Sequence, residues 1–364
     1  MIEHQSDYSS SLPASQARLQ ALLDFRRPDR VPLGNQFASL GFNTVRTGGT
    51  ITDAYADPEK SFKGYLSVCE GYGWDQILQF YCHTLLGAWD FGGQIRMPQG
   101  EYESGVIVTA YPVQSIADVE KLSLPDSHIS GFIPRALSFA KLQRAHGLPA
   151  GFFTRSPFAM AANICGVELF LKWALKAPEL CHHLMQMSLD HIFRVLTNWT
   201  EYFGPDNIWV QLSTPTESNQ LISPKIFQQL ALPYHIQYHE RLSNLGIKHF
   251  IIHLCGDQNL NLPIWAEKEP WPHPSVLSFG HEVSLARAGR LFPNDIILGN
   301  IDPTFLYTRS PQQVYEHCSE KIAAGKKLAG GFILAPGCDL SPFTPDANLQ
   351  AMGQAINDHG IYES

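Results

Sequence analysis

Charge is scarce in this sequence of 364 residues. Asp, Glu, Lys and Arg supply 16% of it, with 34 acidic against 26 basic side chains and a formal net charge of -8. With a pI near 6.0 and no excess of Lys and Arg, this balance argues against nucleic acid or an anionic membrane as the main partner. Long apolar runs are missing as well, so no stretch is expected to span a bilayer. The opening Met1-Ile2-Glu3-His4-Gln5-Ser6 lacks the basic and apolar segments of a secretory signal, and a cytoplasmic protein is expected. Cysteine is sparse: seven residues at 69, 82, 165, 181, 255, 318 and 338 form an odd, scattered set. Such a set is no disulfide framework, which leaves the thiols reduced and free for metal. Repeats of 20 to 50 residues and low-complexity tracts are also missing. What the chain does have is an apolar fraction of 44%, ample for a large core.

Residues 1–14 are polar and Ser-rich and read as a flexible arm, and residues 15–364 read as one domain. Ala17, Leu19, Leu22, Leu23 and Phe25 recur at helical spacing before the first strand, Val31 to Phe37. Further strands are expected at 76–81, 148–153, 207–212, 249–253, 275–279, 296–298 and 331–334. Most of the segments between them are long enough for a helix. Residues 83–125 break the pattern, and the β-branched run Val106-Ile107-Val108-Thr109 marks a hairpin-bearing excursion. Glu168 to Trp173 and Pro178 to Phe203 read as helices. Strand alternating with helix implies a parallel sheet, and eight such units fit a TIM (β/α)8 barrel.

Two apolar runs end at a glycine beside a cysteine: Ile251-Ile252-His253-Leu254-Cys255-Gly256 and Gly331-Phe332-Ile333-Leu334-Ala335-Pro336-Gly337-Cys338. Imidazole and thiolate are zinc ligands, and three protein ligands with a fourth position open mark a catalytic site. A buried cysteine and a hydrogen-bonded core histidine fit the same residues, and spacing alone does not separate the two readings. In a barrel of this kind both runs end on the same rim, where catalytic groups gather.

The chain resembles the uroporphyrinogen decarboxylase superfamily. The resemblance rests on His253-Leu254-Cys255-Gly256, on Leu298-Gly299-Asn300-Ile301-Asp302-Pro303, and on Gly337-Cys338-Asp339-Leu340-Ser341-Pro342 with Thr344-Pro345 and Asn348-Leu349. Pro28-Asp29-Arg30-Val31-Pro32, Tyr72-Gly73-Trp74-Asp75, Ser156-Pro157-Phe158 and Leu221-Ile222-Ser223-Pro224 extend it over nearly the whole chain. Within the superfamily it is similar to the branch of methylcobamide:thiol methyltransferases. That resemblance implies a TIM barrel with a zinc ion on His253, Cys255 and Cys338. The true decarboxylases carry an Arg-Gln-Ala-Gly-Arg segment after the first strand, where this chain reads Asn35-Gln36-Phe37-Ala38-Ser39-Leu40-Gly41, with no arginine.

The implied reaction moves a methyl group from a methylated corrinoid to a small thiol bound as a zinc thiolate, releasing a thioether. A separate corrinoid protein is the expected partner. Glu217, after the fourth strand, is a candidate fourth ligand, or else a solvated loop carboxylate. Arg155 is a candidate for holding a substrate carboxylate or sulfonate, against a surface ion pair. His281 and Asn300 are candidates for contacting substrate or corrinoid, Asn300 beside a tight turn at Gly299. Asp257, Asn259 and Asp339 are candidates for orienting the ligands, and helix capping explains the first two equally well. His83 and the aromatics Phe37, Tyr81, Phe152 and Phe153 are weaker pocket candidates. The competing readings are a cofactor-free decarboxylase and a non-catalytic corrinoid-binding protein.

Overall fold

The structure is a computed structural model that describes residues 12–34, 40–76, 80–81, 84–100, 103, 105–268 and 270–362. The chain divides into two compact units, one drawn from residues 1–80, 99–104 and 273–364, the other from 81–98 and 105–272.

In the second of these units, β1 (Gln94–Arg96) and β2 (Ile107–Ala110) pair antiparallel as a short hairpin. Its main strands are β3 (Ala150–Arg155), β4 (Ile208–Ser213) and β5 (His249–Leu254), each parallel to the next. Phe, Ile, Val and Trp dominate these runs, and side chains that fill a pleated, covered surface favour the extended chain. The register places Arg155 beside Ser213 and Ser213 beside His253. Registered neighbours in a parallel sheet point to one face, so these three side chains share a face at the carboxyl ends of their strands. The opposite face carries Phe152, whose ring meets Trp199 of the helix Pro178–Phe203 edge-on at 5.4 Å between centroids. Arg155, Ser213 and His253 therefore point away from that helix.

The helix Pro157–Cys165 is not anticipated by the sequence pattern. All of its residues except Asn163 are buried, so it shows no polar stripe by which the helical period can be recognised. The helix that follows runs Val167–Lys176, longer at both ends than expected. Among the described residues no single helix is long and apolar enough to cross a membrane.

In the other unit, β6 (Val276–Phe279), β7 (Ile296–Ile301) and β8 (Phe332–Pro336) run parallel, with Asn300 beside Ala335. Parallel bridges continue from Leu334 to Leu33 and from Gly34 to Asp75. These lie at the start of the two earliest expected strands, of which residues 35–37 and 77–79 fall outside the described residues. The first helix, Leu12–Leu23, begins inside the expected arm, because Leu12, Ser15 and Leu19 are already buried.

Asp75 ties this unit's early segments together. It is 1% exposed and accepts hydrogen bonds from Arg18 Nη1 (2.6 Å), Arg30 Nη1 (3.0 Å), the Leu33 amide (2.8 Å) and Ser15 Oγ (3.3 Å). Two guanidinium groups and two further donors satisfy a carboxylate that would otherwise be costly to bury. Asp29 takes the rest of the Arg18 fork, and this hydrogen bond holds the Asp29 carboxyl below its usual range. Replacing Asp75 with Ala strands two largely buried cations, and is expected to lower the unfolding free energy by about 3 kcal/mol or more in urea titration. A loss under about 1 kcal/mol would show that the cluster behaves as an exposed ion pair.

Candidate metal centre

The ends of β5 and β8 carry the donor residues. His253 is the fifth residue of β5 and is 3% exposed. Its carbonyl oxygen accepts from the Thr214 amide at 3.1 Å and from Thr214 Oγ1 at 3.3 Å, which binds the end of β5 to the segment after β4. Cys255 follows β5 at once, and its carbonyl accepts from Gln258 Nε2 at 3.2 Å. Gly256 then turns the chain at φ +71°, a left-handed conformation, with Ser218 Cβ only 3.2 Å from where a side chain would begin. Glycine meets both demands without strain. Beyond β8, the Gly337 amide donates to Ile301 O at 2.7 Å and delivers Cys338.

Of the described cysteines, Cys69, Cys165, Cys181 and Cys318 are buried, whereas Cys255 and Cys338 are partly exposed. Burial pushes the Cys165, Cys181 and Cys318 thiols up to about 12, so they stay protonated at neutral pH and are poor ligands. His253 and Cys255 stand at the end of β5, and Cys338 follows β8. One imidazole and two thiolates are a donor set suited to zinc, with one position of a tetrahedron left over.

Glu217 lies just beyond β4. It is fully buried in the turn Pro215–Glu217, not solvated in a loop. Its Oε1 accepts from Ser156 Oγ at 2.5 Å and from His235 Nε2 at 3.0 Å, while Asn261 Nδ2 holds its main-chain oxygen at 2.9 Å. Ser156 does double service, since its Oγ also accepts from the Ala159 amide and caps the helix Pro157–Cys165. Among the described residues, Oε2 of Glu217 has no hydrogen-bond partner.

Arg155 ends β3, two strands from His253 and on the same face. Asp257 and Asn259 serve the turn: the Asp257 carboxylate accepts from the Asn259 amide and from Asn259 Nδ2, both at 2.9 Å. In the other unit His281 is 49% exposed and lies 3.7 Å from Glu282 and 3.9 Å from Asp302. Asn300 is 1% exposed, with its amide engaged by Gly280 O (3.0 Å), Val283 O (2.6 Å) and Lys321 Nζ (2.9 Å). His83 and Phe37 fall outside the described residues. Tyr81 packs on Phe132 and Phe139, and Phe152 on Trp199, so both aromatics belong to the core.

Sequence reasoning missed Ser156 as a carboxylate partner, although Ser-Pro is a helix-start signal that marks it as a cap. For His235 and Lys321 no local pattern gives a signal. Each is one polar residue in a helix, and its partner is known only once the chain is folded.

Residues 14–359 match the uroporphyrinogen decarboxylase (URO-D) family. The methylcobamide:CoM methyltransferase MtaA of Methanosarcina barkeri (strain Fusaro / DSM 804) is 25% identical over 350 residues, covering 94% of this chain and 97% of that protein. The methylcobamide:CoM methyltransferase MtbA of Methanosarcina acetivorans is 26% identical over 264 residues, 71% of this chain and 74% of the relative. A uroporphyrinogen decarboxylase of Trichlorobacter lovleyi is 22% identical over 258 residues, 68% of this chain and 71% of its own. Among solved structures, a methyltransferase from Methanosarcina mazei has a similar fold, with a TM-score of 0.77, 23% identity, and coverage of 94% of this chain and 98% of its own. The fold is α/β, a TIM barrel, and the chain belongs to the uroporphyrinogen decarboxylase family, where it resembles these methyltransferases over more of its length than this decarboxylase.

Proposed function

We propose that this methyltransferase moves a methyl group from a methylated corrinoid to a small thiol, with a zinc ion held by His253, Cys255 and Cys338. The observation that carries the reading is the donor set at two strand ends, in a chain similar over 94% of its length to a methylcobamide:CoM methyltransferase. Bound there, zinc would lower the pKa of an incoming thiol and keep its sulfur anionic and nucleophilic at neutral pH. The acceptor sulfur takes the methyl group, the corrinoid leaves with the bonding pair, and the products are a thioether and the demethylated corrinoid. A separate corrinoid protein supplies the donor, and the reduced thiols suit a cytoplasmic enzyme.

The chain's own residues prepare this transfer. Neighbouring strands lie about 4.8 Å apart, so Arg155 begins roughly 10 Å from His253 across β4. From there a guanidinium reaches the carboxylate or sulfonate of a short thiol whose sulfur sits at the metal. Glu217, anchored through Oε1 by Ser156 and His235, is assigned as the residue that would hold the fourth position through Oε2. His281, half-exposed after β6, is assigned to contact with substrate or corrinoid.

Mass spectrometry of purified protein, loaded with equimolar zinc and desalted, is expected to find about one zinc per chain, and little in Cys255→Ser or Cys338→Ser. Thiol-dependent demethylation of methylcobalamin is expected to disappear in the same variants. Equal zinc in all three proteins, or none in any, would overturn the proposal. For the acceptor, Arg155→Ala is expected to raise KM for an anionic thiol about tenfold or more, the worth of one charge-assisted hydrogen bond, and to leave KM for an uncharged thiol of equal length unchanged. An equal rise for both thiols would remove Arg155 from substrate binding.

A further inference from the structure

Asn300 does not present its amide to a substrate. Both hydrogens of Nδ2 are directed at main-chain oxygens of one loop, Gly280 O at 3.0 Å and Val283 O at 2.6 Å, and Oδ1 accepts from Lys321 Nζ at 2.9 Å. An ammonium can only donate, so Lys321 dictates which way the amide faces and thereby keeps both N–H groups on the loop. Lys321 comes from the helix Pro311–Gly325, whose other contacts include β8 and the helix Asp346–His359. It is partly buried, and that burial lowers its pKa. An apolar side chain would cover the same surface without desolvating a charge, so the cation is retained at a cost.

The loop that Asn300 holds is packed against the approach to Cys338. A Cβ placed on Gly337 would lie 3.3 Å from the His281 amide nitrogen and 3.4 Å from both Ile301 O and Phe279 O. The Gly337 amide donates to Ile301 O, one residue beyond Asn300. A chain of close contacts thus runs from Lys321 through Asn300 and the 280–283 loop to the peptide that precedes Cys338.

We propose that Lys321 is a positioning residue: by orienting the Asn300 amide it fixes the loop that carries His281 and, through Gly337, the place of the Cys338 sulfur. Its importance for methyl transfer rests on the function proposed above, but the positioning itself does not. Iodoacetamide labelling of metal-free protein, followed by peptide mapping, reads Cys338 and Cys255 separately. Lys321→Met is expected to change the labelling rate of Cys338 by roughly threefold or more while that of Cys255 stays as in the wild type. Lys321→Arg, which keeps a donor, should restore the wild-type rate, and Asn300→Ala should reproduce the effect of Lys321→Met. Unchanged Cys338 labelling would overturn the proposal. So would an equal change at both cysteines accompanied by a lower unfolding midpoint, which is general loosening. If the protein takes up zinc, Lys321→Met should also release it to a chelator several-fold faster; wild-type release would restrict the clamp to the metal-free state and contradict its role at the site. If no variant or wild type takes up zinc, the methyl-transfer reading fails and the labelling result still decides the positioning.

Discussion

Parallel hydrogen-bond register is the constraint from which the rest follows. Once β3, β4 and β5 are locked in step, residues at their carboxyl ends fall in one row, and Arg155, Ser213 and His253 share a face without any contact among them being required. Slipping one strand by a single residue would turn its whole set of side chains over and remove its member from the row. The Ser156 amide donating to Ser213 O and the Thr214 amide donating to His253 O extend the lock one residue past each strand. The same logic operates in the other unit, where the Gly337 amide binds Ile301 O beyond β7. Groups for chemistry thus stand where regular pairing has just ended, on backbone that the sheet still holds.

The electrostatic environment divides similar residues into different roles. Cysteines packed inside helices are held as neutral thiols by burial, and they serve as small apolar fillers. Cys255 and Cys338 escape that environment because each sits just beyond a strand, next to a glycine. Among the carboxylates, Asp75 is surrounded by cations and has an architectural role, whereas Glu217 has one oxygen held by Ser156 and His235 and the other without a partner among the described residues. A buried carboxylate with one oxygen to spare is more useful to chemistry than to stability.

Much of this was legible in the sequence. Strands β4 to β8 stand out as short apolar runs rich in β-branched residues, and His253, Cys255 and Cys338 mark the ends of β5 and β8. The helix Pro178–Phe203 was readable from its amphipathic period and its proline start. The helix Pro157–Cys165 was not, because a helix buried on nearly every side loses its period. The partners of polar residues were also hidden. Glu217 reads as a candidate ligand or a solvated loop acid, and its partners stay hidden until the fold brings His235 to it from 18 residues away and Ser156 from 61. Asn300 reads as a candidate substrate contact beside a tight turn until Lys321 and the 280–283 loop are found to occupy its amide. Short-range pattern reports backbone state and apolar faces, whereas long-range polar pairing depends on the finished topology.

The central claim is that two cysteines and one histidine hold a zinc ion with a position free for a thiol. X-ray absorption at the zinc edge, recorded before and after adding an acceptor thiol to the zinc-loaded protein, tests it most directly. The account predicts about two sulfur neighbours near 2.3 Å and two lighter atoms near 2.0–2.1 Å at first, with a third sulfur replacing one lighter atom once the thiol is present. A sulfur count that does not change on thiol addition, or a first shell without sulfur, would contradict it.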